Sequence, residues 1–297
     1  MEQIKQYSTF IGYLSEKKLI KKRGTVSKTS TIACDIISGT IAVETENNSV
    51  HYLNVYCTSK TAKGNEHPFW QSIDTMYNEY KSKKDVAAHE AEYASYICVN
   101  ATPAINDFVD KSGNVVVGRT KYSVNTVKRV DPSTPTVARV NLGGYLNSVR
   151  DEIENDEETG RKIMEIVGID YFGNAEPFTV YVGEENDGYF DYWEIGDKVN
   201  AECVIVNHMT ADPSAPTTTH NGRPLKSRSE KRITLFDWLD NRVDDDEIRE
   251  QNMIDVRKAL EARKLKIEAL RSKSTETPHP ATAPVNIEFD DDEECPF

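Results

Sequence analysis

The chain has 297 residues, 38% of them apolar and 29% charged, with a net charge of −13. That length predicts two compact units plus extensions, and no apolar run approaches the ~18–20 residues that span a bilayer. The stretch Met1–Tyr7 lacks the basic-then-apolar start of a signal peptide, so the expected compartment is the cytoplasm.

In chain order, Ile4, Tyr7, Ile11, Leu14 and Lys18 fall at helical spacing and predict a short helix over residues 4–22. A basic cluster (Lys17, Lys18, Lys21, Lys22, Arg23) and Gly24 close it. Strand texture begins at Thr31 and runs to Val43, with Gly39 inside it as the mark of a bulge or bend. Val50–Thr58 reads as a second strand, followed by the basic loop Ser59–His67. Pro68 then opens an amphipathic helix through Lys84. Tyr93–Ala101 and Val115–Val130 are further strands. Asp131–Pro135 has linker composition. Beyond it, strands are predicted at Val137–Val149, Lys162–Phe172, Phe178–Val182, Val199–His208 and Arg228–Leu239. Asp244–Glu247 opens a last helix to about Lys273, since acids at its start complement the helix dipole.

Two sets of about five strands predict a mainly β protein with helical additions: two tandem OB-like five-stranded barrels, a C-terminal helix and a disordered acidic tail. The expected boundaries are a helical, basic extension over 1–30, a first OB-like domain over 31–131 and a second over 136–242. A helix over 243–273, a disordered linker over 274–287 and an interaction tail over 288–297 complete the chain. One larger β-rich domain with helical insertions is the alternative.

The charge is distributed unevenly. Residues 1–132 hold 17 Lys+Arg against 14 Asp+Glu, while residues 133–242 hold 11 against 20. Phosphate binding depends on local potential in a groove, so a mildly basic first half is compatible with a polyanion ligand. Non-specific single-strand binders stack bases on aromatic faces and follow phosphates with Lys and Arg. In the first half, Tyr52, Tyr56, Lys60 and Lys63 form one such cluster, and Arg119, Lys121, Tyr122, Lys128 and Arg129 another. In the second half the candidates are Arg139, Tyr145, Tyr171 and Phe172. Trp70, Trp193 and Trp238 read as core or rim anchors.

The Pro-rich segment Ser274–Pro284 leads to five consecutive acids, Asp290, Asp291, Asp292, Glu293 and Glu294, then Cys295, Pro296 and Phe297. Such a peptide is a ligand: the Phe ring enters an apolar pocket while the acids meet basic residues at its rim. This ending resembles the tail of bacterial single-stranded DNA-binding proteins, and acid-plus-aromatic tails also occur in their bacteriophage counterparts. Cys295 stands where the bacterial family has an aliphatic residue, and the body lacks that family's core sequence. A phage-type or divergent member is therefore the expectation, in the host cytoplasm if phage-encoded. The resemblance implies a non-enzymatic protein that binds single-stranded DNA, protects it during replication, recombination or repair, and recruits a polymerase, helicase or recombinase through Asp290–Glu294, Pro296 and Phe297. The preference for DNA over RNA rests on this resemblance alone. The rival expectation is an acidic interaction scaffold or DNA mimic that binds a nucleic-acid enzyme.

No cofactor, metal or catalytic site is expected. Cys34, Cys57, Cys98, Cys203 and Cys295 form no Cys-x-x-Cys pair, and four of them lie in strand-like runs as small hydrophobes. His89-Glu-Ala-Glu-Tyr93 lacks the second His of a zinc-protease helix, and no Gly-Lys-Ser/Thr follows Gly143-Gly144.

Overall fold

In the computed structural model, residues 6–276 are described apart from 28, 47–48, 111, 155, 171, 212–226 and 243. The chain opens with a strand where a helix was expected: β1, Tyr7–Thr25. Ser8, Phe10, Gly12 and Leu14 are buried while Tyr7 and Tyr13 are exposed, which is the period of two that a strand requires. Apolar residues three, four and three apart (Ile4, Tyr7, Ile11, Leu14) mimic a helix, but the aromatic and β-branched content of Tyr7–Tyr13 favours a pleated backbone. Pairing with β2 (Ala33–Glu44) then carries the strand through the basic cluster to Thr25. The first barrel thus takes its first strand from the segment read as an extension.

The remaining elements are β3 (Val50–Thr58), α1 (Trp70–Glu79), α2 (Lys83–Ala87), β4 (Tyr96–Val109) and β5 (Val115–Arg129), then β6 (Val137–Glu154), β7 (Glu157–Ile169) and β8 (Ala175–Val182). A 3₁₀ helix at Glu184–Asp191, β9 (Lys198–Ala211), β10 (Ser227–Arg242) and α3 (Asp246–Glu276) complete the described chain. The order β1-β2-β3-β5-β4 closes on itself through the β4–β1 pairing, with β3 and β5 parallel and the other pairs antiparallel. β6-β7-β8-β10-β9 closes in the same way through β6–β9, again with its third and fifth strands parallel. Two successive closed five-stranded barrels of OB topology result. Antiparallel pairing of Tyr7–Ile11 with Val137–Asn141 joins them into one ten-stranded sheet.

The halves share a local signature that their overall sequences hide: Gly12-Tyr13-Leu14 in β1 and Gly144-Tyr145-Leu146 in β6. In each, the leucine is buried and a register shift follows it. The Leu14 amide donates to the Ser95 carbonyl at 2.9 Å and the Leu146 amide to the Asp197 carbonyl at 3.0 Å. A Cβ on Gly12 would sit 2.1 Å from the Glu44 carbonyl oxygen, and one on Gly144 2.5 Å from that of Val167. Glycine is required because the first strand of each barrel presses against its neighbour where it bends. Gly39, where a bulge or bend was expected in β2, has φ 140° and stays in register with both neighbouring strands.

Helix α1 closes one end of the first barrel by burying Ile73 and Met76. The Lys17 ammonium donates to the Tyr77 and Tyr80 carbonyls at 2.8 and 2.7 Å, serving the helix end where cations are favoured. In the second barrel, Trp193 and Trp238 pack against each other at 3.7 Å between ring centroids, as core anchors. The cysteines Cys34, Cys57, Cys98 and Cys203 are buried and free. Helix α3 lays Val256 and Ala259 on Tyr145, Val167 and Ala175. Its Arg263 then reaches the first barrel, donating to both Asp107 carboxylate oxygens at 2.8 and 2.7 Å. Among the described residues no helix is long and apolar enough to cross a membrane.

Candidate nucleic-acid interface

Alternation along β3 buries His51, Leu53, Val55 and Cys57 and turns Tyr52, Asn54 and Tyr56 outward. Tyr52 and Tyr56 are 64% and 66% exposed, an unusual state for two large rings on one strand face. Four residues apart, they stand ~13 Å from each other. Lys18, Thr40, Asn54 and Ser123 align in register across β1, β2, β3 and β5, forming a polar row between the rings. Lys18 is held by Glu16 at 2.9 Å and remains largely exposed. This face, on the second and third strands of the barrel, is where an OB fold offers its groove.

Arg119 and Lys121 are exposed on β5 and line a hollow of about 430 Å³ together with Thr40, Tyr52 and Asn54. Tyr52 and Arg119 also belong to a larger groove of about 620 Å³ that continues between the barrels, whose far wall includes Thr179, Tyr181, Lys231 and Arg232. The β3 face and the inter-barrel groove are therefore contiguous. Lys231 is an exposed residue, but its ammonium crosses to the Val50 carbonyl of the first barrel. Burial of that end pushes its pKa down to about 8. Arg232 lies over the Tyr181 ring at 4.3 Å and bonds Glu152 at 2.6 Å. Burial opposes the charge on Glu152, but hydrogen bonds from Thr159 and Arg161 and the charges of Arg161 and Arg232 outweigh it and lower its pKa. His51, behind Tyr52, is buried and pushed down to about 3, so it contributes no charge near neutral pH.

The other candidates are dispersed. Lys60 and Lys63 are exposed in the loop after β3, where the Lys60 backbone pairs with that of Glu66 in an isolated antiparallel β-bridge. Lys128 and Arg129 are exposed at the far end of β5 beside α1, with Arg129 over Tyr80 at 4.7 Å and donating to the Glu79 carbonyl. Arg139 lies on the β6–β9 seam, paired with Glu202 at 2.7 Å and over Phe236 at 5.3 Å. Phe172 is 84% exposed at the β7–β8 turn. Two expected platforms are taken up by packing instead. Tyr122 turns inward, edge-on to Phe10 at 5.1 Å, with burial raising its pKa. Tyr145 is 7% exposed because α3 covers it. Tyr171 and the tail residues Asp290–Glu294, Pro296 and Phe297 lie outside the described residues.

Lys18, Tyr181, Lys231 and Arg232 were not anticipated. Lys18 was hidden by the helical reading of β1. Alternation in Phe178–Val182 and in β10, where Ile233 and Leu235 face inward, would have assigned Tyr181 and Arg232 to the outer face.

The strand order and the open aromatic face define a tandem OB-fold protein. The chain belongs to the YorF family, which matches residues 8–224. No curated protein matches its sequence. Among solved structures, the wild-type single-stranded DNA binding protein from Thermus aquaticus is similar over 82% of this chain and 96% of its own, with 9% identity and a TM-score of 0.46. A deletion mutant of that protein gives 11% identity and a TM-score of 0.44 over 81% and 95%. A replication protein A heterotrimer bound to ssDNA gives 8% identity and a TM-score of 0.21 over 84% of this chain and 52% of its own.

Proposed function

We propose that the chain is a non-enzymatic single-stranded DNA-binding protein that covers unwound DNA during replication, recombination or repair. The observation that carries this reading is the β3 face, where two open tyrosines flank a polar row edged by Lys18, Arg119 and Lys121. Rings and cations on an OB groove are the equipment of sequence-tolerant single-strand binding. A barrel face serving only solubility would carry mixed charges without two open rings. The acidic ending with Pro296 and Phe297 complements this face as a recruiting peptide for a polymerase, helicase or recombinase.

The test is a fluorescence-anisotropy titration of labelled oligo-dT, with duplex competitor, at two salt concentrations. Tight binding that prefers single strands and weakens with salt is expected, because phosphate neutralisation releases counterions. Absence of binding at low salt would refute the reading and favour the acidic scaffold or DNA mimic, which the excess of acids in residues 133–242 would then explain. Deleting residues 288–297 should abolish partner capture without weakening DNA binding.

A further inference from the structure

Among the described residues, the groove between the barrels is lined by Arg119, Lys231 and Arg232 and by no Asp or Glu. This is in a chain with 49 acids, whose second barrel region is strongly acidic. Its volume of about 620 Å³ falls in the ~300–1,000 Å³ range of ligand pockets. Tyr52 stands on the first-barrel wall and Tyr181 on the second, and Thr120 and Thr179 add hydroxyl-bearing side chains to the lining. Flat rings, hydroxyls and cations without carboxylates match a nucleotide unit: a base for the rings and a phosphate for the cations.

We infer that this groove is a second nucleic-acid contact, in which Arg119 of β5 and Lys231 of β10 hold a backbone phosphate between them and lead a strand from the β3 face onto the second barrel. The inference rests on the single-strand reading above. Three features of the structure support a fixed groove. The β1–β6 pairing makes the two barrels one sheet. Arg263 ties α3 to Asp107 across them. Lys231 itself touches the opposite barrel at Val50. The walls therefore hold their spacing before a ligand arrives, which lowers the ordering cost of binding. The remaining cation, Arg232, is committed to Glu152 and Tyr181 and positions the ring.

The experiment compares two labelled oligo-dT lengths, about 8 nucleotides to fit one barrel and about 24 to span both. Each is titrated against the full chain and against Lys231→Gln and Thr179→Glu. Thr179 is exposed on β8, so its variant tests the groove even if Lys231→Gln disturbs the Val50 contact. Thermal midpoints show that both variants fold. The expected result is a loss of about tenfold for the long oligomer, as for a charge-assisted contact, with the short one unchanged. For Lys231→Gln the log–log salt slope should fall by about 0.7. Unchanged long-oligomer affinity, or an equal loss at both lengths, overturns the inference. So does unchanged affinity accompanied by binding of a labelled 288–297 peptide, which would assign the groove to an acidic peptide. A wild-type chain that binds neither length removes the single-strand reading and this inference together.

Discussion

Replacing Tyr52 and Tyr56 with alanine, singly and together, separates base stacking from packing. Each ring is about two-thirds exposed, so its removal leaves no cavity and should change folding stability by no more than about 0.5 kcal/mol. Stacking on an aromatic contributes roughly 1–3 kcal/mol per base, or about 5- to 150-fold in affinity. The rings stand ~13 Å apart along β3, far enough for their effects to add. The double variant should therefore lose at least about 30-fold in oligo-dT affinity. Tyr93→Ala is the control: that ring is 73% exposed between α2 and β4, away from β3, and its removal should leave affinity unchanged. Anisotropy gives the affinities and thermal melting the stabilities. A double variant that melts and binds like the parent would refute the assignment of this face.

Gly12→Ala and Gly144→Ala should each destabilise the chain by roughly 1–3 kcal/mol in urea titrations, because the added Cβ meets a carbonyl oxygen of the neighbouring strand; two neutral substitutions would contradict the equivalence of the barrels. Glu176 on β8 is pushed up to about 7, first by burial and then by Asp170, against a backbone hydrogen bond with Ile105. Between its ordinary value of 4.5 and 7 the folded chain binds more protons than the unfolded one, so stability falls as pH rises through that window. Glu176→Gln should therefore stabilise the chain by roughly 1–3 kcal/mol at pH 8 and not at pH 4, read from melting curves; equal shifts at both pH values would contradict this. Lys231, pushed down to about 8, loses its proton in the free groove as pH rises past 8, while a nearby phosphate favours the charged form. Long-oligomer affinity should thus decline between pH 7 and 9. Around Lys231 stand His51 and Tyr52 from β3, Arg119 and Tyr122 from β5, Tyr181 from β8, and its neighbour Arg232. His51, at about 3, stays neutral throughout that window, and Tyr122 is raised. A flat pH profile for the parent, or a decline that persists in Lys231→Gln, would contradict this.

Much of the architecture is legible from alternation. Val50–Thr58 is a strand at the expected bounds, and eight more strands and the α3 helix overlap the segments where pattern and turn residues put them. Gly39 takes a φ of 140° that favours glycine, while both of its strand pairings run through it without a register shift. The failure at β1 has a plain cause: Tyr7, Ile11, Leu14 and Lys18 satisfy a helical template, and only the burial of Ser8, Phe10 and Gly12 exposes the period of two. Tyr52 and Tyr56 were legible because they alternate with Leu53, Val55 and Cys57. Tyr122 and Tyr145 were not, since a tyrosine flanked by cations or glycines looks the same whether Phe10 or α3 covers it. The inter-barrel groove was invisible for a different reason: it is made by strands from both halves, and no local window contains both walls.

The central claim is that single-stranded DNA lies on the β3 face with its bases against Tyr52 and Tyr56. Photo-crosslinking of an iodouracil-substituted oligonucleotide, followed by peptide mass spectrometry, tests it most directly. Adducts on Tyr52 and Tyr56, competed by unlabelled oligo-dT and not by duplex, are the predicted result. Adducts confined to other surfaces, such as Tyr93, Tyr192 or Phe236, would contradict the account.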